Sequence, residues 1–302
     1  LSLLITRYMG ELAALAAAMI WSVSSMIWAQ LSRKLTALEL NLLKGVLAGI
    51  MFLGAMAVLG EFVNQVAPLA FILLCISGFI GIGLGDTAYM KALQAIGARR
   101  TLLMGTLSPP MTGIIAWIFL GETLPLRAWV GILITILGVA WVITDRTPQP
   151  ENAPNNLRAG IIFGLISGLT QAVGSVLSRF AFMYTDISPL TSALIRMSAG
   201  SLLLIVWLIT LRQPVLQWVR QPGAAKLWGL ILIATFSGAF IGMWLQQVSL
   251  DRALAGVSQT LISTSPLFVL PVAALMGEKV SARAVVGVLI ALVGVGLLFG
   301  AG

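Results

Sequence analysis

Asp86 lies in the stretch GIGLGDTAYMK (residues 81–91), behind a run of apolar and glycine positions and five residues before Lys91. An unpaired charge at the centre of a bilayer costs roughly 2.5–3.5 kcal/mol on insertion scales. A carboxylate in so apolar a run must therefore be paired, protonated or wetted. Two lysines can serve it, Lys91 on the same segment and Lys44 on the preceding one. Two roles follow from that chemistry: an ion pair that fixes neighbouring segments, or a titratable group that gates or couples movement along a path. Arg196 is a third charge in an apolar run. Its guanidinium offers a bidentate fork to a carboxylate or phosphate, or its stem snorkels the charge to the near surface.

Uncharged polar groups are spaced with equal regularity. Ser167, Gln171, Ser175 and Ser178 recur at intervals of four, four and three, which places them on one face of a helix. Trp21 and Ser25, with Trp28 beyond them, form an aromatic face on the first apolar run. Tyr89 follows Asp86 by one turn, and a later run carries Trp244, Gln246 and Gln247. Adjacent amides point about 100° apart on a helix, so at most one of Gln246 and Gln247 faces a cavity fully. Thr260, Ser263 and Thr264 precede Pro266, and Pro110 lies in a matching run. A mid-helix proline removes a backbone hydrogen bond and bares a carbonyl one turn earlier, which is tolerated beside a cavity or a neighbouring helix. The hydroxyls read either as cavity lining or as packing and backbone repair.

The elements that carry these residues are membrane helices. The chain is 59% hydrophobic and 9% charged, with a mean hydropathy of +1.02, and its apolar runs are separated by short polar breaks. Ten spans fit, at 10–30, 36–59, 68–96, 101–120, 126–144, 158–181, 188–211, 226–250, 257–276 and 282–300, each long enough for ~30 Å of hydrocarbon at ~1.5 Å per residue. Continuous runs of this length argue against barrel strands. The net charge of +8 is spread singly or in pairs between the spans, with no basic stripe interleaved with aromatics, so no nucleic-acid partner is expected. The sequence has one cysteine, Cys75, and no histidine. Neither a disulfide nor the usual zinc and nucleophile–base constellations can be assembled, and no metal, cofactor or catalytic residue is expected. The first span is longer than a cleavable signal peptide.

The chain repeats itself. GETLPLRAWVGILITILGVAWVI (121–143) and GEKVSARAVVGVLIALVGVGLLF (277–299) share ten of 23 positions. Further back, Pro110 aligns with Pro266, Ala92-Leu93 with Ser249-Leu250, Lys44 with Arg196, and Trp21–Ser25 with Gln171–Ser175. The position that answers Asp86 is Met243. Each copy holds five spans, so the copies enter the membrane in opposite senses, as inverted repeats that can present one cavity alternately to either side. The boundary falls in DRTPQPENAPNNLR (145–158), giving repeats at 1–148 and 149–302.

These features together resemble the drug/metabolite transporter superfamily, of the ten-helix EamA type. The resemblance rests on Trp21 in the first span, Lys44 and Arg196 early in the second and seventh, Ala-Leu late in the third, Pro109-Pro110 and Pro266, and Gly-Glu at 121–122 and 277–278. It implies an all-α membrane protein that carries a small organic metabolite by secondary transport, through a cavity formed by spans 1, 3, 4, 6, 8 and 9. An amino acid, or another small amphipathic or anionic compound, is the expected substrate. Protons are a candidate coupling ion through Asp86, Lys44 and Lys91. The chain is expected to act as a monomer or homodimer in the plasma membrane of a prokaryote. A channel-like facilitator and, less favoured, a membrane-embedded enzyme are the alternatives. Lys and Arg concentrate in the joins 1–2, 3–4, 5–6, 7–8 and 9–10, which the positive-inside rule places in the cytoplasm; the resemblance implies the opposite orientation.

Overall fold

The computed structural model describes residues 7–61, 66–144, 156–212, 215–220, 222–268 and 281–299, and every regular element among them is helical. In chain order the principal helices are α1 (Met9–Leu31), α2 (Ala37–Leu59), α3 (Pro68–Gly97), α4 (Ser108–Leu120), α5 (Leu126–Ile143), α6 (Leu157–Tyr184), α7 (Pro189–Thr210), α8 (Ala224–Arg252), α9 (Ala255–Ile262) and α10 (Ala282–Leu298); past a kink at Gly97 the chain runs on helically to Gly105, and a single 3-10 turn spans Gln217–Arg220. Seven of them, α1, α2, α3, α5, α6, α7 and α8, are long and apolar enough to cross a membrane. Large apolar side chains such as Val58, Phe119, Leu126 and Leu137 cover their outer surfaces, while alanine, serine and glycine fill the contacts between them. That inversion of the soluble pattern fits a lipid surround.

Local signals set the helix ends. Thr36 accepts the Glu39 backbone N–H at the start of α2, and Ser188 and Ser281 cap α7 and α10 in the same way. Each cap satisfies one of the donors that a first turn leaves unpaired. Gly60 and Gly121 close α2 and α4 with φ of 69°, a left-handed conformation that suits glycine.

Two departures from the expected spans bear on the site. The first concerns the prolines. The run at 101–120 is interrupted at 106–107, and α4 starts at Ser108, so Pro110 lies in a first turn and not at mid-helix. Likewise α9 ends at Ile262, a turn follows at 263–264, and helix resumes at Ser265 beside Pro266. The first-turn N–H groups of a helix have no intrahelical acceptor, so proline costs little there. Positions 269–280, with Gly277 and Glu278, lie outside the described residues.

The second departure is a widening of α3 and α8. Gly78–Asp86 and Thr235–Gly242 are π-helical, and each sits in the middle of its long helix. They begin 157 positions apart, the same offset that aligns Ala92-Leu93 with Ser249-Leu250. π-helical turns are rare and concentrate at functional sites. Close packing accompanies both. A Cβ at Gly78 would meet the Arg196 carbonyl on α7, and one at Gly242 would meet the Trp21 indole on α1.

α5 and α10, the segments with the strongest internal repeat, pack on each other through glycine. A Cβ on Gly131 would lie 2.9 Å from the Gly294 carbonyl oxygen, and one on Gly138 would lie 2.7 Å from that of Gly287. In the repeat alignment Gly131 answers Gly287 and Gly138 answers Gly294. The contacts are thus reciprocal.

Candidate functional site

The inner ends of these interruptions surround a cavity of about 240 Å³. Its walls come from α1, α2, α3, the 101–108 stretch, α6, α7, α8 and α9. α1 contributes Trp21, Ser24, Ser25 and Trp28. The Trp21 Nε1–H donates to the Gly238 carbonyl at 2.7 Å, which pins the indole against the π-helical stretch of α8. Ser25 donates to the Ser22 carbonyl at 2.9 Å, so its hydroxyl is partly committed to its own helix.

Opposite them stands a charged cluster. The Lys44 ammonium donates to Asp86 Oδ2, and the side chains are 9% and 16% exposed. The Gln171 amide donates to the other carboxylate oxygen at 3.1 Å. Helices α2, α3 and α6 therefore meet at one carboxylate on the cavity wall. Tyr89 lines the cavity one turn beyond, and Gln246 faces it from α8. Ser263 and Pro266 border it at the α9 interruption, with the Ser263 hydroxyl donating to the Thr260 carbonyl at 2.7 Å.

Other expected residues lie elsewhere. Arg196 is fully buried and does not line the cavity. Its Nη1 approaches the Met243 sulfur at 3.6 Å, so Arg196 contacts Met243 as Lys44 contacts Asp86. Its Nε and Nη2 have no hydrogen-bond partner among the described residues. Gly81 and Gly174 press close to it, since a Cβ on either would lie 3.3 Å and 3.6 Å from Nη2. Lys91 turns away from Asp86, and its ammonium sits 5.1 Å from the Phe163 ring centroid and 5.7 Å from that of Trp207. Trp244 points outward at 37% exposure. Gln247 is sequestered and accepts the Ser192 hydroxyl at 2.9 Å. Thr260 is buried and donates to the Gly256 carbonyl at 2.6 Å, and Pro110 lies outside the lining.

Ser175 is one layer behind the wall, donating to Gln259 Oε1 at 3.3 Å, while Gln259 Nε2 donates to Ser108 at 3.3 Å. Gln259 is a lining residue that sequence reasoning missed. Its signal was present: a long amide in an apolar run needs partners, as Gln171 does. Ser108 and Thr106 at the interruption before α4 were missed as well. Among the described residues no cluster of His, Cys, Asp and Glu could hold a metal ion. The arrangement offers aromatic faces, three amides, several hydroxyls and one internally neutralised ion pair, which suits reversible binding of a small polar molecule.

Comparison with known proteins agrees with a transport role. A crystal structure of another protein superposes with a TM-score of 0.76 over 97% of each chain at 17% identity, a likeness of fold. The glucose uptake protein GlcU of Bacillus subtilis (strain 168) is 28% identical over 151 residues, 47% of this chain. The match spans about half the length of that curated relative, 52%. The profile of the EamA-like transporter family matches twice, at residues 8–144 and 158–300. Nearly the whole chain is covered by those two matches, and the protein belongs to the EamA-like transporter family of membrane proteins.

Proposed function

We propose that the chain is a secondary carrier that moves a small, neutral, hydroxyl-rich metabolite of sugar or polyol type by alternating access. Its spans form two inverted five-helix repeats, 1–148 and 149–302, around the central cavity. The reciprocal Gly131–Gly294 and Gly138–Gly287 contacts support the two-fold relation, as do the matched π-helical stretches of α3 and α8. The setting is the plasma membrane of a prokaryote, a reading to which the Bacillus relative lends support.

One observation carries the choice of substrate class: among the described residues, the cation that lines the cavity is already neutralised. Lys44 is the basic residue in the lining, and Asp86 pairs with it. Arg196, the expected anchor for an anionic group, is sealed behind the wall. An anion would have to break the Lys44–Asp86 pair to gain a partner, which is costly where water is scarce. Hydroxyls, by contrast, find the Gln171, Gln246 and Gln259 amides, and an apolar ring face finds Trp21 and Trp28. The cavity holds the equivalent of about eight waters at ~30 Å³ each, room for one small molecule. The glucose uptake relative matches this chemistry.

Proteoliposomes loaded with unlabelled hexoses, pentoses, polyols, amino acids or carboxylates, each challenged with the same compound in labelled form, test the reading. Saturable uptake accelerated by internal substrate is expected for a neutral hydroxylated compound. Accelerated exchange confined to carboxylates or amino acids would overturn it, and saturation without acceleration would point to a pore.

A further inference from the structure

On the side of the cavity away from the α1–α2 join, Arg179 and Glu122 form a clasp between the two halves of the chain. Arg179 Nε donates to Glu122 Oε1 at 2.6 Å, and Arg179 Nη1 donates to the Leu250 and Asp251 carbonyls at 3.0 and 2.8 Å. Glu122 Oε2 accepts the Ala255 backbone N–H at 2.9 Å. One ion pair thus ties the end of α6 to the segment after α4, the end of α8 and the start of α9. It is well sheltered, with side-chain exposures of 16% for Arg179 and 5% for Glu122.

The clasp closes a face. Gln171 is the cavity residue furthest along α6, and Arg179 lies eight positions beyond it, ~12 Å at ~1.5 Å per residue. An apolar layer of Ala116, Val176, Phe182, Leu250 and Ala255 surrounds the clasp, with Val176 on α6 between Gln171 and Arg179. Nearer the cavity comes the Ser175–Gln259–Ser108 hydrogen-bond chain. The cavity itself is built from the opposite ends of α1, α2, α3 and α6, near the α1–α2 join and the interruption before α4. α1 has no cation at the matching position, since Arg179 falls on Trp28 or Ala29 when α6 is laid over α1.

We propose that the Arg179–Glu122 pair is the latch of the gate on this face, closed in the present conformation and broken when the carrier exposes its site there. The inference rests on the alternating-access reading and names the residues that control one side of the cycle. The latch spans both halves, so their rocking apart must separate its charges. Three of its four bonds go to Arg179, which makes that residue the one whose loss opens the face.

The test measures access, not transport. In the full chain with Cys75→Ser, Val176→Cys places a thiol in the apolar layer just inside the latch. Proteoliposomes of known orientation are exposed to a membrane-impermeant maleimide from the latch face. With the latch intact, labelling is expected to be slow. Adding Arg179→Ala should raise its rate at least tenfold from that face. Should Arg179→Ala fail to fold, Glu122→Gln removes the charge while keeping a side chain that accepts from Ala255, and the same rise is expected. Unchanged labelling from the latch face in a folded latch variant overturns the proposal. That outcome alongside normal substrate exchange would reject the latch and leave the carrier; raised access in the variant, with no exchange of a neutral hydroxylated compound by the latch-intact protein, would keep the gate and reject the substrate reading.

Discussion

Asp86→Asn tests the charged cluster directly. The substitution keeps the shape and an oxygen that can accept from Gln171, but it takes the counter-charge from Lys44. With only 9% of the Lys44 side chain exposed, water replaces the carboxylate poorly. Removing one partner of a buried pair costs about 3–5 kcal/mol, because the other charge is stranded. Reversible denaturant unfolding of the purified protein in detergent reads the loss. A double variant, Lys44→Met with Asp86→Asn, removes the stranded charge and should recover most of the stability. Its substrate exchange should stay below about a tenth of wild type, equal to at least ~1.4 kcal/mol, since Asp86 lines the cavity as well as pairing. An Asp86→Asn protein within about 0.5 kcal/mol of wild type would refute the reasoning from burial. Full exchange in the double variant would show that the pair is structural alone.

Arg196→Met should leave the apparent substrate affinity within twofold and raise unfolding stability by about 1–4 kcal/mol, because Nε and Nη2 gain nothing from being buried; a large loss of affinity in exchange assays would put Arg196 back at the substrate. Gly78→Ala should lower stability by about 3 kcal/mol or more through backbone collision with α7, whereas Gly49→Ala, which meets nothing within 4 Å, should be neutral or stabilise by about 0.5–1 kcal/mol, both read by thermal unfolding. The basic joins beside the cavity are expected in the cytoplasm, so a C-terminal reporter active only there should stay silent; a bright fusion reverses the orientation.

The parts of the site that follow from helix arithmetic were legible. Asp86 and Lys44 sit at similar depths from one face, and the structure joins them. The spacing of Gln171 on α6 put its amide on a polar face, and that amide reaches Asp86. Azimuth was harder to read. At most one of Gln246 and Gln247 could face the cavity fully, but the π-helical stretch at Thr235–Gly242 resets the phase of everything after it, so the periodicity of the run could not decide which. For Trp244 the same reset means that it faces outward. Contacts between distant segments were the least visible. Nothing local to Arg196 reveals that Gly81 and Gly174 close over it, and nothing local to Glu122 reveals that Arg179 is 57 positions ahead in the chain and bonded to it. The prolines misled because a residue that breaks a helix also begins one well, and the interruption precedes them.

The widened turns of α3 and α8 have a mechanical meaning of their own. An α-helix advances about 100° of rotation per residue, so each residue taken up or released by a π turn swivels the downstream helix by about that angle without lengthening a loop. Asp86 is the last residue of one such stretch, and Met243 is the first beyond the other. The two groups that face Lys44 and Arg196 therefore sit where such a swivel acts first. A single-residue deletion between Gly78 and Gly85 would tighten the coil and aim the carboxylate away from its lysine, leaving the helix whole and the charge pair undone.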